Sequence, residues 1–283
     1  WTTFTHVAST NAYATITGLT NGQSYDFRIS AINMAGTGPA STPKTIIDGS
    51  ASYLHILSTG QSLSIGGSNA ASISTTQPYR NLSLSPAVFT DSATPVAPLI
   101  PLIEPAGGNE TPSSGMANSL SVQDPLGRSI VVGVHGQPSW FYSQIKKGGG
   151  ASAYARGMIQ ASLTKSEVEA AGGTYQPVAV TIVHGESDAT AGASAANYEG
   201  YMEELQNDYQ TDLNALYGGS GIIPLFQSQM STNSMGNVAV GQLDAYRNTP
   251  GKIFVVGPKD HLPYNSDHIH LTAISSKYLG EMY

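Results

Sequence analysis

A serine hydroxyl attacks a carbonyl carbon effectively only when a histidine takes its proton, and the imidazolium that forms needs a carboxylate to orient and stabilise it. Ser62, Asp267 and His270 are residues of those three types. Ser62 follows the apolar run Tyr53–Leu57 through the small residues Ser58-Thr59-Gly60-Gln61. In an α/β sheet such a turn lifts one hydroxyl above the carboxyl end of its strand, where ligands bind. Asp267 stands three residues before His270, so a loop carboxylate can turn back onto the ring without help from another element. A second acid, Glu186 in His184-Gly185-Glu186-Ser187-Asp188, also follows a strand pattern and is the alternative partner for the histidine. Glu186 and Asp188 read equally as caps of a helix that begins there.

These groups need a rigid frame, and the residues after position 50 supply one. Continuous β-branched or aliphatic runs predict strands at Tyr53–Leu57, Ile130–Val134, Val178–Val183, Ile222–Phe226 and Lys252–Val256. Runs without polar alternation are buried on both faces, which predicts a parallel sheet covered by helices. Tyr198, Tyr201, Met202, Leu205, Tyr209, Leu213 and Leu216 recur at intervals of three and four, predicting a helix over Ser194–Leu216 with one apolar stripe. Further helices are expected at Ala151–Leu163, at Val238–Tyr246 and from Thr272 onward, and Thr164-Lys-Ser-Glu167 has the spacing of a capping box that starts a short helix. The Pro-, Ser- and Thr-rich stretch from Gly66 to Met116 has little periodicity and reads as an elaborated cover near the active site.

The first residues follow a different rule. Tyr13, Thr15 and Thr17 alternate with Ala14 and Ile16, and Tyr25, Phe27, Ile29 and Ala31 alternate with polar neighbours, the period of half-buried strands. Leu19 and Tyr25 have the spacing of a tyrosine corner. The run from Tyr13 to Gly38 resembles the second half of a fibronectin type III domain. That resemblance implies a partial all-β sandwich over residues 1–43, a linker over residues 44–50, and an upstream remainder in a longer polypeptide. Residues 51–283 are then the catalytic domain.

Three blocks of the large domain resemble SGNH hydrolases of the sialate O-acetylesterase and acetylxylan esterase type. Gly60-Gln61-Ser62-Leu63 is similar to the first block of that family, His184-Gly185-Glu186-Ser187-Asp188 to its His-Gln-Gly-Glu-Ser-Asp block, and Asp267-His268-Ile269-His270-Leu271 to its closing Asp-x-x-His-Leu. The resemblance implies a flavodoxin-like three-layer α/β/α fold and a serine esterase that removes O-acetyl groups from a carbohydrate through an acyl-serine intermediate, with no cofactor. It also implies an oxyanion hole. The backbone amides of Ser62 and Gly115 are candidates for it, although Glu110-Thr-Pro-Ser-Ser-Gly115 matches the second block only loosely. The third block normally supplies an Asn or Gln, but Val183-His184 stands where His-Gln is expected, so the His184 ring or Gln137 is the candidate for that donor. Trp140 and Tyr142 either line a sugar platform or fill the core.

Composition narrows the partners. A net charge of −7, with 12 Lys and Arg spread along the chain, argues against nucleic acid and against an anionic polymer. The absence of cysteine removes disulfides and thiolate metal sites. No apolar run is long enough to span a bilayer. Charged residues make up only 11% of the chain, which suits an extracellular protein, either a secreted bacterial enzyme or a component of a phage tail, and is compatible with an oligomeric assembly. The sequons at Asn81 and Asn109 matter only in a secretory eukaryotic host. Two rival readings stay open: an inert hydrolase fold serving as a glycan-binding or adhesion protein, and a metal-dependent hydrolase built on His268 and His270 beside Asp267.

Overall fold

The computed structural model describes residues 1–4, 16, 19, 23–33, 36–48, 52–67, 71–89, 96–105, 108–231 and 236–283. They fall into two compact units, Trp1–Ala51 and Ser52–Tyr283.

The first unit contains β1 (Gln23–Phe27), β2 (Ile32–Asn33), β3 (Gly36–Thr37) and β4 (Lys44–Asp48). β1 pairs antiparallel with β4, and β2 with β3. The linker expected over residues 44–50 is therefore corrected at its start. Thr45, Ile46 and Ile47 are β-branched and take a ladder against β1 rather than a loop. Tyr25 and Phe27 are half-buried as their alternation predicts, but the pattern stops where β1 ends, and Ile29 is 78% exposed. The strand read over Tyr13–Thr17 lies outside the described residues apart from Ile16.

The second unit runs β5 (Ser52–Gly60), β6 (Leu82–Ser85), β7 (Val96–Pro101), α1 (Pro112–Gln123), β8 (Ser129–Val134), α2 (Tyr142–Ile145), α3 (Ala153–Ala170), β9 (Thr174–Val183), α4 (Glu186–Thr190), α5 (Ala195–Tyr217), β10 (Leu225–Gln229), α6 (Gly236–Asn248), β11 (Ile253–Pro258) and α7 (Ala273–Met282). Seven strands form one sheet in the order β11-β10-β9-β5-β8-β6-β7, parallel except for the edge strand β7. With β5, β8, β9, β10 and β11 counted from first to fifth, the order is 2-1-3-4-5, the flavodoxin-like winding. Its switch point lies between β5 and β9, at whose carboxyl ends Ser62 and Glu186 follow.

Alternation along the strands sends side chains to two cores. Leu54 and Ile56 of β5 join Ile130, Val132 and Met116 on one face, while Leu57 joins Val180, Ile182 and the α5 stripe of Tyr198, Met202, Leu205, Tyr209 and Leu213 on the other. This is a helix–sheet–helix sandwich with both faces of the sheet covered.

Three elements depart from the pattern reading. The strand read at Ile222–Phe226 begins three residues later, at Leu225, directly after Pro224. Thr164 does not start a new helix, because α3 runs straight through it and buries it completely. The low-periodicity stretch from Gly66 to Met116 contains β6, β7 and the start of α1, whose N-cap Thr111 accepts a hydrogen bond from Ser113 N. α1 carries Pro, Ser and Gly where a periodic stripe would reveal a helix. It is held instead by close approach to α7, where a Cβ on Gly115 would lie 2.1 Å from the Lys277 carbonyl oxygen and one on Gly280 would lie 2.0 Å from that of Pro112.

Candidate active site

β5 ends at Gly60 with φ +130, a value open to glycine, and a Cβ there would lie 2.1 Å from the Val183 carbonyl oxygen. This close approach lets Gln61 N donate to that oxygen at 3.0 Å and turns the chain into a 3-10 turn over Ser62–Ile65. Leu63 and Ile65 are buried beneath the turn, and Gly67 N donates to Ser62 O at 2.7 Å. A rigid strand end and two buried anchors therefore fix the position of the Ser62 hydroxyl.

The histidine arrives from the other end of the unit. Residues 259–272 fold back on themselves through the Tyr264–Leu271 bridge and the bond from Asn265 N to His270 O at 2.7 Å. Leu271, 1% exposed, packs with Leu63, Val183, Leu262 and Leu279, so the residue after His270 is pinned into the same small core as the residue after Ser62. His270 Nε2 lies 2.8 Å from Ser62 Oγ across 208 residues of sequence. Its Nδ1 lies 2.7 Å from Asp267 Oδ2. The other Asp267 oxygen accepts from the backbone N–H groups of Ile269 and His270, each at 2.9 Å. These hydrogen bonds, that from the His270 backbone first, hold the Asp267 carboxyl down at about 2, so it is ionised throughout the neutral range. An ionised Asp267 fixes the proton on Nδ1 and leaves Nε2 to accept the serine proton.

Glu186 opens α4 and is buried, and neither carboxylate oxygen has a hydrogen-bond partner. The charge nearest to it is Lys259 Nζ at 3.8 Å, itself fully buried, and desolvation lowers the pKa of that ammonium. The geometry thus gives His270 to Asp267 rather than to Glu186.

His184 is not available as an oxyanion donor. Its Nε2 donates to Trp140 O at 3.0 Å and its Nδ1 accepts from Tyr198 OH at 2.8 Å, which uses both nitrogens of a neutral ring whose pKa burial lowers to about 4. Gly115 is also removed from that role by its place inside α1 against α7. Gln137 donates its backbone N–H to Gly60 O at 3.1 Å and does not line the cleft. Gln61 does line it. Its Oε1 accepts from Gly185 N at 3.3 Å and Ser187 N at 3.4 Å, which leaves its amide nitrogen as a donor at the site. The sequence singled out Gln61 only as part of the first block.

The cleft holds about 900 Å³ and is bounded by Ser62 and His270, by Gly67, Glu104 and Asn109 from the low-periodicity stretch, and by Phe141. Trp140 and Tyr142, read as either a sugar platform or core, do not line the cleft. Tyr142 is buried, donates its hydroxyl to Glu204 at 2.8 Å and stacks on Tyr201, while Trp140 packs against the core with the Arg156 guanidinium over its ring. Phe141, between them, is 40% exposed and lines the cleft. The Tyr142 hydroxyl finds an internal partner, whereas Phe141 has no polar atom to anchor it inward. The Asn81 sequon is buried at 1% exposure, its amide bonded to Asn118. Among the described residues no group of three or more His, Asp and Glu side chains converges as a metal site, and both nitrogens of His270 are engaged.

Among curated proteins, none matches the chain significantly. A solved protein from Arabidopsis thaliana superposes with a TM-score of 0.61 at 19% identity, covering 82% of this chain and 95% of that one. The crystal structure of NanS gives a TM-score of 0.53 at 14% identity, covering 80% of this chain and 87% of its own. A carbohydrate acetylesterase from Xanthomonas citri gives 0.53 at 11% identity, covering 87% of this chain and 56% of its own. At such identities the likeness concerns the fold. Residues 143–283, which carry Glu186, Asp267 and His270, match the family model of the carbohydrate esterase, sialic acid-specific acetylesterase (SASA) domain.

Proposed function

We propose that the Ser52–Tyr283 unit is a serine esterase that removes O-acetyl groups from a carbohydrate through an acyl-serine intermediate. The observation that carries this reading is the continuous relay Ser62 Oγ, His270 Nε2, His270 Nδ1, Asp267 Oδ2, with links of 2.8 and 2.7 Å at the mouth of a cleft. The SASA match over residues 143–283 supports the ester class.

In this mechanism His270 Nε2 takes the proton as Ser62 Oγ bonds to the acetyl carbonyl carbon, and Asp267 stabilises the imidazolium. Collapse of the tetrahedral intermediate breaks the bond to the sugar oxygen, which leaves with the His270 proton. Water, deprotonated by His270, then attacks the acetyl-serine and releases acetate, and the proton returns to Ser62. Ser62 N–H and the Gln61 amide are our candidates for stabilising the oxyanion, a contribution of about 3 kcal/mol per donor in other enzymes. For the N-terminal unit we propose a fibronectin type III-like spacer in an extracellular protein.

Aryl esters of increasing chain length test the reading, together with acetate release from acetylated polysaccharide. Acetyl esters are expected to be cleaved faster than octanoyl esters, with acetate set free from the glycan. Faster octanoyl cleavage with no acetate from any glycan contradicts it. Turnover that survives Ser62→Ala but is lost with a chelator transfers the chemistry to the histidine cluster.

A further inference from the structure

The family model matched by residues 143–283 names sialic acid, a sugar that carries a carboxylate, yet the cleft offers such a group no cation. Of the 12 lysines and arginines in the chain, none lines the cleft among the described residues, and the segments 68–70, 90–95, 106–107 and 232–235 of this unit contain none. Several are committed elsewhere: Arg128 to Asp124, Lys146 to Glu204, Lys147 to Asp212 and Lys165 to Glu169. Lys259 is fully buried and faces Glu186 at 3.8 Å. What does line the cleft among the described residues is two carboxylic residues, Glu104 and Glu186. Glu104 holds the hydroxyls of Thr111 and Ser114 at 2.7 and 2.9 Å and is itself fully buried. A substrate carboxylate entering here would lose its hydration and gain no Arg or Lys partner, and planar carboxylates are recognised where such cations are supplied.

The apolar part of the lining points the same way. Phe141 and Ile269, 40% and 44% exposed, are apolar surfaces of this cleft, and such surfaces suit the C–H faces of an uncharged pyranose. We infer that this site takes O-acetyl esters of neutral sugars and discriminates against sugars that carry a carboxylate. The inference rests on the acetylesterase reading and adds the charge of the substrate to it.

The test compares 9-O-acetyl-N-acetylneuraminic acid with its methyl ester, which differs only in the masked carboxylate, in low salt and beside an aryl acetate. The methyl ester is expected to show at least a tenfold higher kcat/KM than the free acid, with the ratio shrinking as salt rises. In Thr190→Arg, which adds a guanidinium to the cleft lining, the ratio should fall towards one. Equal or faster cleavage of the free acid overturns the inference while leaving the esterase reading intact. If the aryl acetate is not hydrolysed, the esterase reading fails. The charge preference is then decided by calorimetric binding of the two sialic acid forms to Ser62→Ala protein, where tighter binding of the methyl ester sustains it and equal or tighter binding of the free acid defeats it.

Discussion

The two acids that the sequence offers to His270 sit in opposite circumstances. Asp267 sits on a loop with its side chain 40% exposed, and its two oxygens accept three hydrogen bonds within three residues of sequence. Glu186 opens α4 just past a buried strand with its side chain 10% exposed, its carboxylate accepts no hydrogen bond, and it faces a lysine at 3.8 Å. The exposed acid is ordered by local geometry and the buried one by long-range charge. A group that must hold an imidazole within tenths of an ångström needs the first kind of support, and a group that balances a buried cation needs only the second.

Breaking each side of this comparison should give different losses. Ser62→Ala, which removes the group both acids would serve, is expected to lower kcat on an aryl acetate by about 10⁵–10⁶ with an unchanged melting temperature. Asp267→Asn should lower kcat by about 10⁴ with little change in KM, because it leaves His270 without the anion that sets its tautomer. Gln61→Leu removes a donor without touching the relay and should cost about 10²–10³ in kcat. Glu186→Gln is expected to be milder in kcat and severe in stability, by about 3–5 kcal/mol, since it leaves Lys259 buried without a counter-charge. The paired change Glu186→Gln with Lys259→Met should recover most of that loss in a thermal melt. A larger kcat effect from Glu186→Gln than from Asp267→Asn would transfer the acid role to the buried residue.

A smaller effect concerns pH. Burial depresses the pKa of His55 and His135 to about 3 and that of His184 to about 4, against 6.5 for the free group. Above pH 6.5 the folded and unfolded chains both leave these rings neutral, and no stability is lost. As pH falls below 6.5 the unfolded chain binds protons that the folded chain refuses, at a cost of about 1.4 kcal/mol per ring and per pH unit. Denaturant midpoints should therefore fall between pH 6.5 and 5. The contribution of Asp267 has a lower window, present above its unfolded value of 3.8 and lost only as pH drops towards 2. Burial raises the Glu104 pKa to about 8, so its protonation offsets part of this loss over the same range, and a midpoint unchanged from pH 7 to pH 5 would show that the loss from the three rings is absent.

How much of this the sequence announces depends on the range of the interaction. Ser62 and the Asp267/His270 pair are legible because their signals are local: small residues after an apolar run, and an acid three residues from a histidine. Helix α5 is legible because its core stripe repeats along one element. α1 is not, since it is held by glycine contacts to α7 far along the chain. The fate of His184 depends on Trp140 and Tyr198, and the burial of Lys259 depends on Glu186, pairings that only the fold creates. Phe141 is not legible as the aromatic of the cleft, because nothing local in Trp140-Phe141-Tyr142 tells which ring turns inward, and Tyr142 does so through a bond to Glu204, 62 residues along the chain.

Ser62 is expected to become covalently acetylated during turnover. Rapid acid quench during turnover of an aryl acetate, followed by peptide mass spectrometry, tests it directly. One acetyl group is expected on the peptide containing Ser62, accumulating before steady state and absent in Ser62→Ala. Steady turnover with no acetylated peptide at any time, and undiminished in Ser62→Ala, would contradict it.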